Sequence, residues 1–349
     1  MRKWITNIVQ GPTFDATTPA KVDIVRIAES VGYSTVNIFR YDSAYESDQA
    51  IQSRIDGISA GVSPGDIIVY QYPSLNGVRF EETFMRQMKL RHIKVVYLIH
   101  DIDVYRGTNV GYRPDEFKLF NQADALIVHF PVMADKLHQD GVTVPMISQY
   151  LLDYLDDNFR SRPELDEHPA RSVIFAGNLI KSGYLADWHA ETPITVYGYS
   201  ESPMTQQLAD NPHVDYRGPV DRVSLDLKLG ASKAGFGLVW DSDLSNVGYG
   251  NYTRLSHPHK LSLYLAHDIP VIAWEKAAIA PFITQNQVGI TLSSLNDLDH
   301  TLAELTDEDM TRMTANAAKV GMLIRDGYFT ARALLLTEKQ VLFGNMNLV

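Results

Sequence analysis

A two-domain α/β protein, each domain a doubly wound parallel sheet, is the fold class this sequence predicts. Three observations lead there. Apolar segments are short and β-branched, they alternate with helix-length amphipathic stretches, and the alternation stops once near mid-chain and then restarts. With 349 residues, 45% of them hydrophobic, the chain can bury two cores, and chains beyond roughly 250 to 300 residues usually divide.

The first alternation places strands at Ile5–Val9, Thr35–Phe39, Ile67–Tyr70, Val95–Ile99, Ala125–Val128 and Pro145–Ile147. Between them Lys21–Ser30, Gln49–Ala60, Phe80–Leu90, Glu116–Gln122 and Val132–Gln139 carry apolar residues three and four apart, the period of crossover helices. From Leu151 to Arg171 the composition changes. Asp153, Asp156, Asp157, Glu164, Asp166 and Glu167 crowd around Pro163 and Pro169, which reads as a linker. Strands then resume at Val173–Ala176, Ile194–Tyr197, Val214–Tyr216, Phe236–Trp240, Val271–Ala273 and Gly289–Leu292, and the chain ends in helical spacing over 297–305, 307–324 and 330–343. The expected division is 1–152, a linker over 153–170, 171–325, and a C-terminal helix over 326–349 that packs back on the first domain. Two such sheets facing each other would place ligands beyond their carboxyl ends, in a cleft that suits two substrates.

Thirty-one basic against forty-two acidic residues leave a net charge of -11, which argues against nucleic acid or an anionic membrane as partner. The absence of cysteine removes disulfides, thiolate metal sites and a cysteine nucleophile. Met1-Arg-Lys3 is followed by a strand-length apolar stretch too short for a signal core, and no apolar run reaches membrane-spanning length. A cytoplasmic protein without a transmembrane segment is expected.

The segment from Gly235 to Ile272 carries the most chemistry. A buried strand, a loop rich in Gly, Asn and Tyr, and Ser256-His-Pro-His-Lys260 at the start of a helix lead to the strand at Val271. Pro258 fits the first helical turn, because its missing N–H would have no partner there, and Ser256 or His257 then serves as the cap. Unpaired N–H groups and the positive end of the helix dipole favour an anion, and Lys260 adds a full charge. A diphosphate would fit. An ordinary capped helix with a surface lysine is the competing reading.

A series of fragments in shared order resembles a known group. They are Ile5-Thr-Asn7, Arg54-Ile-Asp-Gly57 with Ala60-Gly61, Gly65-Asp66 before Ile67, Leu98-Ile-His-Asp101, Phe175-Ala-Gly-Asn178, Gly235-Phe-Gly-Leu-Val-Trp240, His259-Lys260 with Ile269-Pro-Val-Ile272, and Gly327-Tyr-Phe-Thr330. The chain resembles, over nearly its whole length, the glycosyltransferases with two Rossmann-like domains, the GT-B fold. Within these it is similar to the bacterial glucosyltransferase 3 group, which extends O-linked GlcNAc on serine-rich-repeat adhesins, and to the galactofuranosyltransferase-like proteins. The resemblance implies a UDP-sugar donor, a glycosylated protein or glycan acceptor, inversion without a metal or other cofactor, and a homo-oligomer, with tetramers occurring in the group.

It also implies roles for particular residues. In the first loop, Gln10-Gly-Pro-Thr-Phe-Asp-Ala-Thr17, Thr17 approaches the donor, while Thr18 suits the cap before Pro19. Gly177 and Asn178 open the loop after the second domain's first strand, and Lys181 stands near the position of a phosphate-binding arginine. Lysine keeps the charge but loses the bidentate fork. Tyr216 is placed to meet base or ribose, and Lys260 is the firmest match. The acceptor hydroxyl needs a base beyond a strand end of the first domain, and His100-Asp101 fits, with Asp101 preferred. The alternative is an aspartate that caps the next turn above a packed histidine.

Two Asp-x-Asp pairs, Asp101-Asp103 and Asp241-Asp243, match the metal-binding pattern of a different transferase fold, but such spacing arises readily in an acidic chain. His257, His259 and His267 lack a second ligand cluster, and Lys260 puts a cation among them. Tyr249, Tyr252 and Arg254 lie in a glycine-broken loop that could close on a sugar. Two other function classes compete. One is a catalytically silent nucleotide-sugar-binding subunit, and the other is an unrelated nucleotide enzyme, against which stands the lack of a Gly-x-Gly-x-x-Gly turn opening either half.

Overall fold

The computed structural model describes residues 1–11, 17–107, 115–157, 159, 170–199, 201, 203–233, 235–241, 249–344 and 346. The chain divides into two units, Met1–Leu151 with Gly327–Val349, and Leu152–Asp326. Each is built on six parallel strands.

In the first unit β1 (Lys3–Val9), β2 (Ser34–Phe39), β3 (Ile67–Tyr72), β4 (Lys94–Ile99), β5 (Ala125–Val128) and β6 (Met146–Ser148) stand in the order β2-β1-β3-β4-β5-β6. All six residues of β3 are buried, as a central strand covered on both faces requires, whereas the edge strand β2 alternates. The intervening helices are α1 (Thr17–Ser30), α2 (Asp48–Ile58), α3 (Val78–Leu90), α4 (Asp103–Arg106), α5 (Glu116–Phe120) and α6 (Pro131–Gln139). Thr18, expected as a cap, is the second residue of α1, and its hydroxyl receives a hydrogen bond from the Gln10 amide. Pro19 is accommodated there because the first turn of a helix does not need its N–H.

The second unit contains β7 (Val173–Ala176), β8 (Ile194–Tyr197), β9 (Val214–Gly218), β10 (Phe236–Val239), β11 (Val271–Trp274) and β12 (Gly289–Leu292), ordered β12-β11-β10-β7-β8-β9. Around them lie α7 (Met204–Asp210), α8 (Arg222–Gly230), α9 (Tyr249–Tyr252), α10 (His259–Ala266), α11 (Ala280–Asn286), α12 (Leu298–Glu304) and α13 (Asp307–Arg325). Phe175, Trp188, Val196, Phe236, Leu238 and Ile272 form part of its core. A capping box starts α13, where the Thr306 hydroxyl accepts from the Asp309 N–H at 3.1 Å and the Asp309 carboxylate accepts from the Thr306 N–H at 3.2 Å.

The segment expected to begin the linker is packed at its start. Leu152, Asp153 and Tyr154 are buried; Tyr154 donates its hydroxyl to Asp226 at 2.6 Å and its N–H to the Ile324 carbonyl at 3.3 Å. Residues 158 and 160–169 lie outside the described residues. After Asp326 the chain returns to the first unit as α14 (Tyr328–Phe343), against α1, β5 and β6. There Gln149 donates to the Thr330 hydroxyl at 2.9 Å and Lys3 pairs with Glu338 at 3.0 Å.

Candidate functional site

In open parallel sheets, ligands sit beyond the carboxyl ends of the strands where the winding direction reverses. In the second unit that point lies between β7 and β10. Lys260, in the first turn of α10, reaches it. Its ammonium lies 3.4 Å from the Trp240 carbonyl at the end of β10 and 4.6 Å from the centre of the Phe175 ring on β7. It is 3.6 Å from the Asp241 carboxylate, and only 18% of the side chain is exposed.

The stem of Lys260 crosses Gly177 so closely that a Cβ there would stand 2.9 Å from the lysine Cε. The glycine thus leaves the passage through which the cation reaches the strand ends. The neighbouring Asn178 caps the turn Leu179–Lys181, its side-chain oxygen accepting from Ile180 N–H at 2.9 Å. Gly177 is also tied to β8, since its N–H donates to the Tyr197 carbonyl at 3.1 Å, and the Tyr216 hydroxyl donates to the next carbonyl, that of Gly198, at 3.1 Å. Gly177, Asn178, Tyr216 and Lys260 therefore stand along the ends of adjacent strands. Lys181 closes the same short turn, and Thr17 opens α1, but the side chains of both lie outside the described residues, as does that of Tyr249.

The cap of α10 differs from expectation. Pro258 itself is the N-cap, with φ -75° and ψ 137°, and no side chain caps the helix. The first intrahelical bond runs from Leu261 N–H to the Pro258 carbonyl at 3.1 Å. Pro258 carries the extended conformation of a cap rather than that of a first helical residue, so the helix begins at His259, one residue later than expected. The His257 ring is buried, and Ser256 N–H donates instead to the Tyr252 carbonyl at 3.0 Å. Around the helix, Tyr264 accepts from Ala176 N–H at 2.8 Å, which ties α10 to β7.

In the first unit the reversal lies between β1 and β3, where Lys21 of α1 donates to the Pro73 carbonyl at 2.6 Å. His100 and Asp101 follow β4, the neighbour of β3. Gln71 orients the histidine. Its amide nitrogen donates to the Thr6 and Lys21 carbonyls at 2.7 and 3.1 Å, so its oxygen faces His100 Nε2 at 2.8 Å as an acceptor. This network assigns the proton to Nε2. Asp101 pairs with Arg106 at 2.8 Å and is not the cap of α4. That cap comes from Glu116, buried on α5, whose carboxylate accepts from Asp103 and Val104 N–H at 3.0 and 2.8 Å and from Tyr72 hydroxyl at 2.9 Å. Burial raises the Glu116 carboxyl above its ordinary range, against these three bonds.

Gln71, Glu116 and Asp241 were not legible as site residues. Gln71 and Glu116 are single polar residues in apolar context, and Asp241 stood out only as half of an Asp-x-Asp pair. Within that pair Asp243 lies outside the described residues, while Asp241 faces Lys260. Among the described residues no group of three or more His, Asp or Glu is placed to hold a metal ion.

Comparison with known proteins gives this geometry a context. Residues 2–151 match the family model described as the glucosyltransferase 3-like N-terminal domain, and residues 173–337 match its C-terminal domain. Glucosyltransferase 3 of Streptococcus gordonii is 30% identical over 98% of this chain and 100% of its own length. The beta-1,6-galactofuranosyltransferase WbbI of Escherichia coli is 28% identical over 90% and 92%. Among solved structures, sucrose-phosphate synthase from Thermosynechococcus elongatus superposes with a TM-score of 0.68 at 11% identity, covering 98% of this chain and 99% of that one. An alpha-glucosyltransferase in complex with UDP and DNA gives 0.60 at 12%, covering 98% and 99%. Two parallel six-stranded sheets with these relatives define an enzyme of the glycosyltransferase class with the GT-B fold. The chain belongs to the glucosyltransferase 3-like family. No described helix is long and apolar enough to cross a membrane.

Proposed function

We propose that this glycosyltransferase moves a hexose or N-acetylhexosamine from a UDP-sugar to a sugar acceptor, O-linked GlcNAc on a serine-rich glycoprotein. The transfer inverts the anomeric carbon and uses no metal. The observation that carries the reading is Lys260, a largely buried cation on a helix start at the strand-order reversal of the second unit. A diphosphate there would gain charge-assisted hydrogen bonds and the field of the first helical turn. As the glycosidic bond breaks, negative charge grows on the leaving diphosphate, and a fixed cation stabilises it. Tyr216 and Asn178 border the same strand ends and are assigned to the nucleoside side, with Thr17 and Lys181 as further donor contacts. Asp101, held by Arg106, is the proposed base, with His100, oriented by Gln71, as the second catalytic candidate beside it. The enzyme is proposed to work in the cytoplasm as a homo-oligomer, a tetramer by analogy with its group. Galactofuranose transfer is the second reading, supported by the relative named a galactofuranosyltransferase.

Calorimetric titration with UDP in EDTA tests the donor site. Wild-type protein should bind, and Lys260→Ala should bind roughly ten- to a hundredfold more weakly, the contribution of one charge-assisted contact, with an unchanged ligand-free melting temperature. Wild-type affinity in a folded variant would mean that Lys260 takes no part in donor binding and would remove the site. Binding by the wild type only after manganese is added would defeat the metal-free assignment.

A further inference from the structure

Asp241 stands two residues beyond β10, with its carboxylate 3.6 Å from the Lys260 ammonium and 31% of its side chain exposed. Its second oxygen accepts from the Thr253 hydroxyl at 3.3 Å, so the carboxylate is tethered from beyond α9 as well as by its own strand. The lysine does not depend on it for position. Its ammonium lies within reach of the Trp240 carbonyl and over the face of Phe175, and its stem lies in the gap at Gly177. The Trp240 carbonyl is itself held by the Tyr184 hydroxyl at 3.1 Å.

We propose that Asp241 is a resident counter-ion that competes with the diphosphate for Lys260 and so limits how tightly the product nucleotide is held. The proposal rests on Lys260 being the donor cation. An incoming phosphate that takes up the ammonium at about 2.8 Å must loosen the pair with Asp241 and then lies about 6 Å from a like charge, a repulsion on the order of tenfold in affinity at a half-exposed site. The sugar nucleotide gains further contacts through its sugar and tolerates this, whereas UDP alone does not. After transfer the carboxylate recaptures Lys260 as UDP departs. Asp241 is thus a positioning residue whose effect runs through the lysine.

The test is a titration of the wild type, Asp241→Asn, Asp241→Glu, Lys260→Ala and the double variant Asp241→Asn/Lys260→Ala with UDP and with uridine. Asp241→Asn should bind UDP about tenfold more tightly at low salt, the gain shrinking as salt rises, while uridine affinity stays the same. Asp241→Glu keeps the charge and should stay near wild type. The gain should fall to threefold or less when Lys260 is already Ala. With a turnover assay in hand, Asp241→Asn should show a lower kcat and stronger inhibition by UDP. Unchanged or weaker UDP binding in Asp241→Asn, an equal gain for uridine, or the full tenfold gain in the Lys260→Ala background would each overturn the proposal. If Lys260→Ala alone binds UDP like the wild type, the donor site itself is wrong, a pattern distinct from loss of the Asp241 effect alone.

Discussion

At the scale of single residues, one missing side chain decides how far a cation reaches. A Cβ on Gly177 would meet the Lys260 Cε at 2.9 Å and the Phe175 ring at 3.3 Å. The lysine tip can yield, so Gly177→Ala should fold with a melting temperature within about 2 °C of wild type, a sub-kcal/mol effect, while UDP affinity drops roughly five- to tenfold as the ammonium is pushed off its seat. Calorimetry and a thermal melt on the same preparation separate the two. The proposed base calls for a different comparison. Asp101→Asn should leave UDP affinity nearly unchanged and cut turnover by roughly 100-fold or more. Arg106→Met breaks the same ion pair but leaves the carboxylate, so it should retain far more activity. Similar losses in both variants would make Asp101 an ion-pair anchor and move the search for the base elsewhere.

At the scale of elements, the strand-to-helix step from β10 to α10 brings backbone and aromatic ring together. Gly237 on β10 lies so close under Tyr264 that a Cβ would overlap the ring at 2.2 Å, and the ring is immobilised by its hydroxyl bond to Ala176 N–H at 2.8 Å. A rigid side chain in a packed core cannot move aside as the Lys260 tip can. Gly237→Ala should therefore cost about 3 kcal/mol, near the upper range for overpacking, whereas Tyr264→Phe should cost about 1 kcal/mol for one lost hydrogen bond. Urea denaturation checks both, and equal small losses would show that α10 can lift from the sheet. The same packing holds the first turn of α10 against the strand ends, where Lys260 lies.

At the scale of the whole molecule, buried histidines make stability depend on pH. Burial pushes the His129 imidazole down to about 4, although its Nε2–H donates to the Ile99 carbonyl at 3.0 Å, and the side chain is 1% exposed. Folded His129 thus stays neutral while the unfolded chain protonates near 6.5. The unfolded state binds the extra proton, so stability present above pH 6.5 is lost as pH falls toward 4, by about 2 kcal/mol at pH 5. Burial likewise holds His259 near 4 in the second unit, with Arg222 adding to the effect. Asp66 acts lower down. Burial opposes its charge, but backbone N–H bonds from Arg2 and Ser63 and the Trp4 indole N–H outweigh it and bring the carboxyl to about 2. Its contribution, present above about pH 4, disappears as pH falls toward 2. Urea midpoints between pH 7.5 and 5 should decline for the wild type and decline less for His129→Gln. Parallel slopes would mean that other groups carry the acid sensitivity.

Strand positions were readable because burial on both faces demands apolar runs: Ile67–Tyr70 and Ala125–Val128 read as central strands between helices, and the structure carries the first on through Gln71 to Tyr72. The helix start with its cation around Lys260 was also legible, since proline, helix start and lysine are consecutive in the chain. Local sequence placed the cap one or two residues early, at Ser256 or His257, because the N-cap depends on where the first intrahelical bond closes, and that bond closes on the Pro258 carbonyl. Only the tertiary structure could pair Lys260 with Asp241, seat it over Phe175, have Gln71 orient His100, and cap α4 from Glu116. These partners lie between 13 and 85 residues apart in the chain, or a whole loop away, and no local periodicity encodes such meetings. They arise from strand order and packing, because neighbouring strands and the segments that follow them bring together residues that sequence leaves apart.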